Sequence, residues 1–175
     1  LLMNDAMDRP ASDREAAPAP WTRARVISAL ASARAELIDA IAGFAPRTAE
    51  RQMAPGKWNT RQTVLHLVAR DRARLAEWDA VLAGKAASWQ GHGPVEYARL
   101  NAQELGALSG SGWEQALALL DANRRELQER LALVPETPLA VWQPTHPFGW
   151  MMEALHHHDR HHAETLRRWR QSVGV

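Results

Sequence analysis

The residues of this chain best suited to chemistry are histidines, and they are bunched. Five of the eight fall within Leu155-His156-His157-His158-Asp159-Arg160-His161-His162. The run around them, from Trp150 to Trp169, contains neither Pro nor Gly and is rich in helix formers, so it reads as one helix. At about 100° per residue, Met151, Leu155, Leu166 and Trp169 gather on one arc, the face to be buried. His158 and His162 fall on that arc or at its margin, while His156, His157 and His161 point elsewhere. Two imidazoles at i and i+4 converge over one turn and can share a metal ion. The same pair can equally be core histidines held by hydrogen bonds, or a solvated, pH-sensitive patch. His157 and His161 are also four apart, but the charged Glu164 and Arg168 flank them and mark them as solvated. Asp159 is expected to face away from the stripe as a solvated helix charge.

Composition bounds what else can take part. There are no cysteines, which excludes a disulfide, a thiolate metal site and a cysteine nucleophile within this sequence. Any metal must be held by His, Asp or Glu, and any thiol must come from outside. The net charge is +1 with acids and bases interleaved, so no nucleic-acid surface is expected. No apolar run approaches the roughly 20 residues that span a bilayer. Leu1-Leu2-Met3 is too short for a signal-peptide core and is followed by acidic residues, so a cytoplasmic protein without membrane attachment is expected. Eight tryptophans are many for 175 residues; some belong to a core and others can wall a pocket.

The elements that must position the histidines read as helices throughout. Residues 1–20, polar and proline-bearing, read as a disordered leader. Residues 21–175 read as one domain. Helix 1 is expected from Trp21-Thr22 to about Phe44, with Leu30, Leu37, Ile38 and Ile41 inward. Pro55-Gly56 marks a turn, after which Asn59 or Thr60 can cap a helix spanning about 60–83. Val64, Val68, Leu75, Trp78 and Leu82 form its apolar arc. His66 lies outside the centre of that arc, so periodicity alone makes it a boundary residue. Pro94 starts a short helix to about residue 107. Ser111 is expected to cap helix 3, about 112–133, and helix 4 covers about 149–171. Between them, residues 135–149 carry four prolines together with Trp142, His146 and Phe148, a loop long enough to belong to a binding site. The expected fold is all-α: a four-helix bundle with crossover connections and one short extra helix.

Two segments, taken together, resemble the DinB/YfiT-like superfamily of metal-binding four-helix bundles. The first is Pro55-Gly56-Lys57-Trp58-Asn59-Thr60-Arg61-Gln62-Thr63-Val64-Leu65-His66-Leu67, which is similar to that family's Trp, polar helix start and His eight residues on. The second is His146-Pro147-Phe148-Gly149 followed by Leu155 and His158-Asp159-Arg160-His161-His162, which resembles its loop into the last helix and its His-x-x-x-His pair. The resemblance spans about residues 25–170. It implies that His66, His158 and His162 are three ligands of a divalent metal, zinc or nickel, with open positions. For His66 to serve, its helix must be rotated or locally irregular so that the first turns face helix 4. Trp58, Trp142, Trp150 and His146 could wall the pocket, His146 alternatively capping helix 4. Proteins resembling this one include transferases that use a low-molecular-weight thiol, namely bacillithiol, mycothiol or glutathione. The implied function is thus a thiol S-transferase or a hydrolase acting on a small electrophile; the alternative is a non-catalytic protein that sequesters a small toxic molecule. The resemblance also implies a homodimer, for which helices 1 and 4 could supply the interface.

Overall fold

Asn59 opens the helix that carries the first histidine. Its Oδ1 accepts from Gln62 N at 2.8 Å, and Gln62 Oε1 accepts from Asn59 N at 3.0 Å, a reciprocal capping box that satisfies two otherwise orphaned backbone donors. The computed structural model describes residues 20–174; the expected leader lies outside them except for Pro20. The helices are α1 (Arg23–Ile41), α2 (Pro46–Ala49), α3 (Thr60–Ala76), α4 (Trp78–Leu82), α5 (Pro94–Leu108), α6 (Trp113–Leu133) and α7 (Pro147–Val173). A 3₁₀ turn, Leu139–Trp142, interrupts the proline-rich loop. Among the described residues there is no strand, only an isolated bridge between Gln52 and Asn59.

The bundle consists of α1, α3, α6 and α7. Helix α1 packs chiefly on α7, and α3 chiefly on α6, with further contacts between α3 and α7 and between α1 and α6. Successive long helices α1 and α3 therefore sit across a diagonal, as do α6 and α7. The connections between them must cross over, as the long linkers implied.

Several expectations change in detail. The helix expected over 60–83 breaks at Glu77 into α3 and α4. Helix α1 stops at Ile41, and Pro46 starts the separate short α2. Ser111 does not cap α6: the N-cap is Gly112, without a side-chain bond. Ile38 is 47% exposed and belongs to the outer face of α1, one residue out of phase with the buried Leu37 and Ile41. At the start of α7, Gly149 is required by close approach. A Cβ there would lie 2.0 Å from the Gln143 carbonyl oxygen, so the first turn packs backbone against backbone.

The apolar core is in two parts. One contains Leu30, Leu75, Trp78, Leu127, Phe148, Met151 and Leu155. The other contains Leu37, Val64, Val68, Leu120, Ala163 and Leu166. On each long helix the two sets are separated by about two turns, and the stretch between carries charge: Arg34 on α1, Asp71 and Arg74 on α3, Arg124 on α6 and Asp159 on α7. All five are buried.

Candidate metal centre

Helix α3 is enclosed by α2, α5, α6 and α7, and residues 63–71 are buried without interruption. His66 is thus only 4% exposed although it lies off the arc of Val64 and Val68. No rotation or irregularity of α3 is needed to bring it inward; the helix is an unbroken α-helix with neighbours all round. His158 and His162 reach it from α7, one turn apart and half-buried. His66 Nε2 lies 2.9 Å from His158 Nε2, and His162 Nε2 lies 3.1 Å from the same atom. One ligand nitrogen from each of the three rings falls within 4.8 Å of the others, a group that can hold a metal ion. His157 and His161 face solvent, as expected from their charged flanks.

The environment keeps these rings neutral. Burial, then His162 and the Arg70 and Arg74 guanidiniums, lower the His66 pKa to about 3. Burial and His161 lower that of His162 to about 4. Burial, then Arg74 and the other two rings, hold His158 well below the usual imidazole range. At neutral pH each ring therefore keeps a lone pair. Each neutral ring also carries one N–H, so the two short contacts at His158 Nε2 can be hydrogen bonds in suitable tautomers. A divalent cation can accept all three lone pairs. At Zn–N distances of about 2.0–2.1 Å, tetrahedral geometry sets the nitrogens about 3.3 Å apart. The observed 2.9 and 3.1 Å lie just inside that value. The donor set fits a divalent ion in an open three-histidine site. One feature departs from the usual pattern: the buried Nδ1 atoms of His66 and His158 have no hydrogen-bond partner, so no carboxylate orients them from behind.

The triad separates two clefts. His162 borders a wide one of about 710 Å³, with Met53, Lys57, Trp58, Thr165 and Trp169. His66 and His158 border a second of about 270 Å³, with Arg74, Trp89, Tyr97 and Trp150. Trp58 packs on His66, ring centroids 4.8 Å apart, and fixes that ring's orientation. Trp150 lines the smaller cleft. Trp142 does not line either one: it is fully buried against Phe148, with Nε1 donating to the Pro135 carbonyl. It was expected as a candidate pocket wall, but the 3₁₀ turn folds it into the core. His146 is the N-cap of α7, its Nδ1 accepting from Phe148 N at 3.1 Å.

Sequence reasoning missed the charge layer beside the triad. Asp159 is 0% exposed, not solvated. Arg34 Nε donates to its Oδ2 at 3.1 Å, and Arg124 Nη2 lies 3.0 Å from the same oxygen. Asp71 accepts from Arg34 and from Arg124. Two of these pairs, Arg34–Asp71 and Arg124–Asp159, run across the diagonals of the bundle. His156, expected to point away from the core, is 5% exposed against Trp21. The signal that could have found the layer was recurrence: at least one charged residue interrupts the apolar stripe of every long helix.

The fold is shared with several solved structures. The colibactin self-resistance protein ClbS, solved in complex with double-stranded DNA, superposes with a TM-score of 0.73 at 16% identity, covering 87% of this chain and 98% of that one. DfsB, described as a sibling lethal factor precursor, gives 0.72 at 12% identity, with 87% and 96% covered. An uncharacterised protein from Escherichia coli UTI89 gives 0.68 at 15% identity, with 89% and 96% covered. No curated protein matches the chain in sequence. The DinB superfamily model matches residues 29–166, a span that includes all three clustered histidines. This chain belongs to the DinB superfamily.

Proposed function

We propose that His66, His158 and His162 ligate one divalent cation, zinc or nickel, and that the protein is a metal-dependent enzyme acting on a small electrophile. The preferred reaction is S-transfer from a low-molecular-weight thiol, with hydrolysis as the related chemistry. The observation that carries this reading is the convergence of three neutral imidazole nitrogens from two helices beside a cleft large enough for a small molecule. A divalent ion held there would supply Lewis acidity, drawing the pKa of a bound water or thiol towards neutral. The chain's own residues do the rest. Burial keeps the three rings unprotonated, Trp58 fixes His66, and Trp58 and Trp169 give the larger cleft apolar walls. With no cysteine in the sequence, the nucleophilic sulfur must be brought in.

The test is thiol consumption by zinc- or nickel-loaded protein against a panel of alkyl halides, epoxides and Michael acceptors, with bacillithiol, mycothiol and glutathione compared. Turnover that needs His158 supports the transferase; no consumption with any pair rejects it. A second reading is non-catalytic sequestration of a toxic small molecule. It is favoured by the Trp-walled cleft and by the fold shared with a self-resistance protein. Quenching of the tryptophans by ligand without turnover would select it. We further propose a homodimer without nucleic acid as a partner. Ile27 and Ile38, both exposed and three helical turns apart, lie on one side of α1. Light scattering reports the dimer.

A further inference from the structure

The three-histidine cluster has a charged neighbour that the bundle leaves incompletely matched. Three buried guanidiniums, Arg34, Arg74 and Arg124, face two buried carboxylates, Asp71 and Asp159. Arg34 and Arg124 each reach both carboxylates closely. Arg74 does not: its nearest approach is 3.6 Å, Nη1 to Asp71 Oδ1, and neither its Nε nor its Nη1 has a hydrogen-bond acceptor. Arg74 is 5% exposed. Burial lowers its pKa to about 10, so it stays cationic at neutral pH. The one other arginine nearby, Arg70, is already matched by Glu104.

Arg74 borders the smaller cleft, of about 270 Å³, whose other walls include Trp89, Tyr97, Trp150 and Ala154. Trp89 and Tyr97 are fixed there, the Tyr97 hydroxyl donating to the Trp89 carbonyl at 3.1 Å. His66 and His158 complete the lining. The cleft thus combines an excess buried positive charge with flat aromatic walls. A buried cation without its full complement of acceptors is costly, and an oxyanion repays that cost through charge-assisted hydrogen bonds.

We infer that this cleft is a binding site for a small aromatic or apolar carboxylate, its anionic group held by Arg74 and its body packed between Trp150 and Trp89. The site is separate from the larger cleft at His162, and it would place a carboxylate-bearing substrate or thiol on the opposite side of the triad. It rests on the charge and the cavity, and it stands whether or not the triad binds metal.

Calorimetric titration of the full chain with phenylacetate, and with the neutral isostere phenylacetamide, tests it. Each titration is run on protein as purified and after chelation. The expectation is phenylacetate binding in both states, at least tenfold tighter than phenylacetamide. Arg74→Gln removes that preference at unchanged metal content. Ala154→Trp fills the cleft without touching the charges and abolishes binding, which keeps the test decisive if Arg74→Gln fails to fold. Equal affinity for the two compounds overturns the inference, as does unchanged binding in a folded Arg74→Gln or in Ala154→Trp. Binding seen only before chelation assigns the carboxylate to the metal and overturns it too. Loss of metal from His162→Ala, whose ring lies outside this cleft, with phenylacetate binding intact would separate this site from the proposed metal function.

Discussion

His158 and Asp159 are consecutive on α7, yet their side chains enter different environments. Asp159 turns into the centre of the bundle, where Arg34 and Arg124 surround it with donors. His158 turns towards α3, where it meets two other imidazoles, its Nε2 about equally close to both. Both regions bury polar groups between α3 and α7. The first is largely closed by side chains of opposite charge. The second presents three groups of one kind, each with one lone pair when neutral, gathered where a cation could be held. Buried polar groups that the protein satisfies hold the fold together; those it leaves in want of a partner are fitted for a ligand.

The difference predicts opposite responses to mutation. The largest effect is expected at Asp159→Ala, which leaves three buried guanidiniums sharing the single carboxylate of Asp71 and should cost about 3–5 kcal/mol in urea unfolding. His66→Leu should behave otherwise. In chelated protein it removes a buried ring with an unpartnered nitrogen, and stability should stay within about 1 kcal/mol of wild type. Finding the two variants equally damaging would dissolve the contrast.

Next in size is the effect of metal. A ligand of the folded state alone, free at 100 times its Kd, adds about 2.7 kcal/mol. Zinc should therefore raise the melting temperature of wild type and of Asn59→Ala, but not of His66→Leu or His158→Ala. Acid sharpens the same contrast. Folded His66 and His162 titrate at about 3 and about 4, below the ordinary value of an unfolded histidine. Between those values and roughly 6.5 the unfolded chain binds more protons, so stability is full above that window and is lost as pH falls through it. Asp159 acts in the opposite sense, since burial raises its pKa. The histidine contribution is thus read as a difference: His66→Leu should flatten the fall in melting temperature between pH 7 and 4.5. The smallest effect is expected at Asn59→Ala. Losing the cap should cost about 1 kcal/mol. Because α3 carries both His66 and Asp71, it should weaken both regions together and leave metal stoichiometry unchanged.

The helices and the triad were legible for different reasons. Proline, glycine and capping residues placed most helix ends within a few residues, because those signals act locally. The His158–His162 pair was visible as an interruption of an apolar stripe. His66 was not visible by periodicity, because a helix surrounded by four others has no single buried face; only the motif beginning at Trp58 pointed to it. The charge layer was misread for a related reason. A lone Asp159 or Arg34 on a wheel looks like a solvated charge, and its partners come from other helices, 35 to 125 positions away. Trp142 was read as a loop residue because a 3₁₀ turn that folds back into a core leaves little trace in sequence.

The central claim is that imidazoles from α3 and α7 share one cation. Elemental analysis of untagged protein, wild type beside His158→Ala, measures it most directly. The account predicts about one zinc or nickel per wild-type chain and almost none in a His158→Ala protein that keeps its helical circular dichroism. A wild-type protein that takes up no divalent metal, or a His158→Ala variant that holds as much as wild type, would contradict it.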